Sequence, residues 1–174
     1  MRLVYSTISP TVAAIQMTLD YANVAYDDVM QKNADDDGSD AEDTVELIAG
    51  DDVIKGELAA FLCASRMAHT LPSDPVHCGL VTSAIVDIDD MCLDELEHRL
   101  EASQPNPWLL PQFVESTAAD FLCICKFRLM REDKLIDSKD YPHVDSYLDT
   151  DPSEATSTYA DIDQEASSSR CVIA

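Results

Sequence analysis

Basic residues are scarce in this chain: 11 Lys and Arg stand against 34 Asp and Glu in 174 residues, a formal charge of −23. A polyanion forgoes the counterion release that drives phosphate-backbone binding, and the few basic residues are scattered, so nucleic acid is excluded as a partner. Glycine is scarcer still, with four residues isolated at positions 38, 50, 56 and 79, which leaves no glycine loop to cradle a phosphate. No apolar run approaches the ~20 residues of a membrane span. The opening Met1-Arg2-Leu3-Val4-Tyr5 is soon interrupted by Ser6, Thr7, Ser9 and Pro10, unlike a secretory leader, so a cytoplasmic location is expected. His69, His77 and Cys78 lack zinc-ligand spacing, and no metal site is expected.

The apolar fraction of 46% and charged fraction of 26% are those of a chain that can bury a core, so the acidity is layered onto a foldable sequence. The acids are 24 Asp and 10 Glu, a bias that fits either a halophilic surface or one selected for solubility. Six cysteines, at 63, 78, 92, 123, 125 and 171, have no disulfide-framework spacing. Cys123 and Cys125 stand two apart on an expected helix and point to different sides. Apart from Cys171, most are expected to be small buried hydrophobes.

Residues 2 to 5 form a short strand pattern, and Ser9-Pro10 supplies an N-cap with proline at the first helical position. Val12, Ile15, Leu19 and Ala22 then mark one apolar helix face, which Asn23 ends. Val24 to Gln31 is extended again, so the β-α-β order implies a parallel pair. Residues 32 to 44 hold six acids and no apolar residue larger than Ala, the composition of a solvated loop. Val45 to Ile48 and Asp52 to Ile54 read as a hairpin, followed by a helix over 57–69 with Leu58, Phe61, Leu62 and Ala68 on its buried face.

Pro72 and Pro75 bracket an expected linker, after which the pattern is all-helical. Ile85, Ile88, Cys92, Leu96 and Leu100 suggest one long helix or two nearly continuous ones, broken by the prolines around Trp108. Thr117 and Asp120 have capping-box spacing before the stripe Phe121, Ile124, Cys125 and Leu129, and Val144, Tyr147 and Leu148 mark a last short helix. The expected division is 1–71 α/β, 72–150 all-α and 151–174 a disordered acidic tail.

This order resembles the glutathione transferase superfamily. Leu3-Val4-Tyr5-Ser6 into Ser9-Pro10 resembles its first strand and the serine or cysteine before proline at the first helix. Ala25-Tyr26-Asp27-Asp28-Val29 resembles its second strand, and Gly50-Asp51-Asp52-Val53-Ile54 with Ala59 and Ala60 its turn, fourth strand and third helix. Thr117-Ala118-Ala119-Asp120 resembles its Thr-x-x-Asp box, and Tyr141-Pro142-His143-Val144 with Tyr147-Leu148 its late helix. The resemblance implies a thioredoxin-like N-terminal domain, an all-α C-terminal domain, glutathione in the first, an acceptor pocket between the two, and dimerisation.

The resemblance further implies that Ser9 stands where members carry the catalytic hydroxyl or thiol, although its residue type and position equally fit a plain helix N-cap. Three departures bear on the glutathione site. Val45 stands where the family has its cis-proline. Gly56-Glu57 replaces the acidic or Gln residue followed by Ser that holds the γ-glutamyl carboxylate, and Glu57 brings a competing carboxylate to the same donors. The acidic loop adds negative charge beside an anionic tripeptide. The expectation is a member with weak or absent glutathione binding that serves as a protein-interaction module or homodimer, as do family domains in elongation-factor and aminoacyl-tRNA synthetase assemblies. An active transferase or peroxidase using Ser9 is the alternative.

Cys171-Val172-Ile173-Ala174 has the C-a-a-X pattern of a farnesylation site, alongside the alternative of an unmodified tail. One prenyl chain gives marginal anchoring, and Asp161, Asp163 and Glu165 oppose an anionic leaflet, so only transient contact with internal membranes is expected. Asn33-x-Asp35-x-Asp37-Gly38 begins like a calcium loop, but its twelfth position is Thr44 and a strand pattern follows.

Overall fold

Residue alternation and helix caps set out ten elements in the computed structural model, which describes residues 1–31, 44–150 and 152. These are β1 (Arg2–Tyr5), α1 (Pro10–Tyr21), β2 (Asp27–Met30), β3 (Val45–Ala49), β4 (Asp52–Lys55), α2 (Glu57–Met67), α3 (Pro75–Ile88), α4 (Leu93–Ser103), α5 (Ala118–Glu132) and α6 (Pro142–Asp149). The acidic loop, the calcium-like pattern and the Cys171 ending lie outside the described residues.

The sheet order is β2-β1-β3-β4, with β1 parallel to β2 and antiparallel to β3. The expected parallel pair is present, because α1 carries the chain from β1 back to β2. Leu3 lies opposite Leu47, and Leu47 opposite Ile54. One sheet face therefore delivers Leu3, Tyr5, Val45 and Leu47 to the core, with Val12, Ile15 and Leu19 of α1 and Phe61 of α2. Gly50, at φ 64°, makes the β3–β4 turn, a conformation that a side chain would strain. Asn23, at φ 51°, ends α1 in the same left-handed region.

On α2 the small residues Ala60 and Ala64 share the buried face with Phe61, whereas Leu58, expected inside, is 46% exposed. Its place in the first turn leaves it beyond the packed stretch. The segment bracketed by Pro72 and Pro75 is non-helical and ends at Asp74: Pro75 is the first residue of α3, and Asp74 caps that helix by accepting from the Val76 and His77 amides. The stripe from Ile85 to Leu100 divides into α3 and α4. Lys126 of α5 donates its ammonium to the carbonyls of Ile88 and Asp89 and so closes the end of α3.

α5 is the central helix, with Phe121, Cys123, Ile124 and Phe127 fully buried. Asp120 accepts from the Thr117 amide at 2.8 Å, making the expected capping box. Cys123 and Cys125 are buried as expected, and burial pushes the Cys125 thiol up to about 11. The expectation fails for the other described cysteines: Cys63 and Cys78 are half-buried because each lies on a helix with one face in water, and Cys92 is exposed in the extended residue that precedes α4.

Candidate functional site

Ser9 is set by local chemistry. Its backbone is extended at φ −95° and ψ 167°, Pro10 begins α1, and the Ser9 hydroxyl oxygen accepts from the Val12 amide at 3.1 Å. The hydroxyl proton is spent on another partner: Ser9 Oγ donates to Glu57 Oε1 at 2.7 Å, across 48 residues of sequence. That length is typical of a hydroxyl bonded to an ionised carboxylate.

Glu57 is the first residue of α2, so its carboxylate stands at the positive end of that helix and, through Ser9, at the positive end of α1. Gly56 before it adopts φ 94° and offers no side-chain cap. Gly56 donates its amide to the Val45 carbonyl at 2.8 Å and accepts from the Ala60 amide at 2.9 Å. Val45 is placed by β1, opposite Tyr5, while Ser6 donates its amide to the Thr44 carbonyl at 3.2 Å. Among the described residues the one cis peptide is Gln104–Pro105, so Val45 follows a trans bond. Ser9, Val45, Gly56 and Glu57 thus meet where β1, β3 and the starts of α1 and α2 converge.

The serine hydroxyl has one proton to give and directs it to Glu57. As arranged, it holds no donor for an incoming thiolate, and the nearest formal charge is negative. The half-buried position of both side chains leaves the pair within reach of solvent. The sequence marked each of these residues but not the bond between Ser9 and Glu57; only the shared position at a helix start hinted at it.

Tyr5, the last residue of β1, carries a second hydroxyl that no sequence motif marks, in a polar network of the sheet with Asp28 and Gln16. It donates to Asp28 at 3.3 Å and accepts from Gln16 at 3.4 Å, and burial together with Asp28 pushes its phenol above the ordinary value. It is held as a neutral donor rather than a base.

A second hydroxyl–carboxylate pair is sealed inside the helical half. Asp120 accepts from the amides of Leu109 and Thr117 and from the hydroxyls of Thr117 and Tyr147, at 2.8 to 3.0 Å. Burial pushes the Asp120 carboxyl up, against these hydrogen bonds. Among the described residues no group of three His, Cys, Asp or Glu could hold a metal ion, and no helix is long and apolar enough to cross a membrane.

No family model and no curated protein matches the chain. Solved structures do. A glutathione S-transferase from Caenorhabditis elegans has 12% identity and a TM-score of 0.66, with 98% of each chain covered. One from Rhodospirillum rubrum F11 has 13% identity and a TM-score of 0.67, over 87% of this chain and 89% of that one. Glutathione S-transferase 1-6 from Anopheles dirus species B has 18% identity and a TM-score of 0.62, over 98% and 100%.

The chain has the glutathione S-transferase fold. In this glutathione S-transferase-fold protein the four-stranded sheet with α1 and α2 is the thioredoxin-like part, and α3 to α6 make the helical part. At such identities the likeness fixes architecture and leaves the chemistry to the residues themselves. Ser9, Val45, Gly56 and Glu57 all lie in the thioredoxin-like part.

Proposed function

We propose that this chain is a glutathione-transferase-like protein whose glutathione site is filled by its own side chain, and that it serves chiefly as a protein-interaction module with weak or no catalysis. The observation that carries this reading is the 2.7 Å bond from Ser9 Oγ to Glu57 Oε1. A glutathione thiolate near Ser9 would need the hydroxyl proton that Ser9 donates to Glu57. A glutathione carboxylate at the α2 start would meet the Glu57 carboxylate, and two like charges at that range repel by about 1 kcal/mol even in bulk water. Both terms act against the same anionic ligand.

A catalytic reading keeps one observation in its favour. Ser9 caps α1 from a half-buried position, where a hydroxyl turned away from Glu57 would face the same helix dipole. Retention on immobilised glutathione, together with turnover of a generic electrophile, separates the two. The proposal expects neither. Tight retention abolished by Ser9→Ala would overturn it and favour a working transferase or peroxidase. The partner in the interaction reading is another protein or a second copy of the chain.

A further inference from the structure

The sheet buries one face and carries an apolar stripe on the other. Strand alternation puts Leu3, Tyr5, Val45 and Leu47 on the side closed by α1 and α2, so their neighbours Val4 and Ile48 point the opposite way. The pairing register adds Val29 of β2, opposite Val4, and Val53 of β4, opposite Ile48. None of these four belongs to the core cluster of the described residues. Val4 at the centre is 5% exposed, Val29 and Ile48 are half-buried, and Val53 is 48% exposed.

Together they cross the sheet as a diagonal, from β2 over β1 and β3 to β4. At about 4.8 Å between strands the stripe is roughly 15 Å long, which is the length of about three turns of helix. Charges flank it on both sides: Lys55 meets Glu46 at 2.8 Å, and Arg2 stands opposite Asp27 in the register. A solvated sheet face presents polar side chains outward, whereas here four apolar ones run from one edge strand to the other.

We infer that this face of the sheet is a docking surface for a basic amphipathic helix of another protein. A helix laid on a sheet is a stable second layer, and on this side none of the described helices supplies it. The segments of the chain outside the described residues lack the chemistry to do so. Residues 32–43 hold six acids and no apolar residue larger than Ala, and residues 153–165 hold four acids and no base. Charge selects the partner. Asp51 and Asp52 are exposed at the β3–β4 turn beside Val53, on a chain of formal charge −23. They attract Lys and Arg side chains and repel an acidic segment or a second copy.

This deepens the interaction reading, on which it rests, by giving that reading a surface and the chemistry of its partner. One helix on four side chains falls short of the ~1,600 Å² of a standard interface, so a transient complex is expected rather than a permanent one. Salt weakens the ionic part of the contact, while the apolar stripe is untouched by screening.

Fluorescence anisotropy of a labelled synthetic peptide with the full chain tests this, at ~0.15 M salt where charges are screened beyond about 8 Å. The probe has about 18 residues, five turns of helix, with Leu on one face and Lys on the other. It is expected to bind, and the same residues shuffled so that no apolar face forms to bind at least tenfold more weakly. Val53→Asp adds an acid and so raises plain charge attraction, yet it is expected to weaken the helical probe at least tenfold. Val53→Thr keeps a β-branched side chain on the strand and is expected to weaken it severalfold with circular dichroism unchanged. Leu135→Asp, at another apolar position that is 61% exposed, is expected to leave binding within twofold. No binding of the probe, equal binding of its shuffled form, or indifference to both Val53 variants would overturn the inference. So would a wild type that sediments as a dimer and is dissociated by Val53→Asp, since a second copy would then cover the stripe. Glutathione retention is a separate assay on residues outside this face, so failure here leaves the Ser9–Glu57 reading standing, and the reverse.

Discussion

Two helices in this molecule begin with a hydroxyl facing a carboxylate, and the two pairs live in opposite surroundings. At α5, Thr117 and Asp120 are three residues apart and fully enclosed, and four donors converge on the carboxylate. At α1, Ser9 and Glu57 come from different elements, and both side chains remain half in water. The first carboxylate is used up in tying α5 to the preceding loop and to α6. The second accepts from Ser9 across two elements and stays open to water, and the proposed function makes it the group that a ligand would have to displace. The same chemistry is therefore structural where it is buried and saturated, and under the proposed function a bar to ligands where it is open.

The largest effect expected from this contrast is on stability. Asp120→Ala strands the Leu109 and Thr117 amides in the core and should cost about 3–5 kcal/mol, at about 1–3 kcal/mol for each buried donor left without an acceptor. Denaturant unfolding checks it, and a loss below about 1 kcal/mol would erase the distinction between the two pairs.

A carboxylate of intermediate burial should show an intermediate effect, read through pH. Glu97 of α4 accepts from the amides of His143 and Val144 and from the His143 ring at 2.6 Å, which holds the start of α6. Burial pushes its carboxyl up, but these bonds together outweigh it and leave the group below its ordinary value. A depressed carboxyl contributes stability in full above the unfolded value, near pH 4.3, and loses it as pH falls through the folded value. Hydrogen exchange in α6 should accelerate on acidification below about pH 4, and Glu97→Gln should remove that dependence. An unchanged acid profile in Glu97→Gln would count against the role given to this clasp.

At the open pair, Ser9→Ala should cost about 1 kcal/mol through the lost cap to Val12, measured by thermal unfolding. Glu57→Ser should move stability by less than about 0.5 kcal/mol, since Glu57 is half exposed. A loss near that of Asp120→Ala would make the Ser9–Glu57 bond structural as well.

Where a signal was local, the sequence carried it. Ser9-Pro10 announced α1, Gly50 the hairpin turn and Thr117-x-x-Asp120 the start of α5, because caps and turns are written within a few residues. The break between α3 and α4 was less plain, since Lys126, the residue that closes α3, arrives from 38 positions away. Pro72 and Pro75 mark the boundary between the two halves, and proline's preference for the first helical turn places Pro75 on the helical side. At the site, residue types lead to the expectation that Glu57 opposes a ligand carboxylate. That it also accepts from the Ser9 hydroxyl depends on two helix starts meeting in space, which no local pattern records. The partial exposure of Cys63 and Cys78 is not legible for a related reason: a small thiol fits a helix face of either kind.

Calorimetric titration of glutathione into the wild type and Glu57→Ser tests most directly whether Glu57 bars the site. The wild type is expected to show no binding up to millimolar glutathione, and the variant to bind measurably, with binding lost again when Ser9→Ala is added. Binding by the wild type as tight as by Glu57→Ser would contradict it.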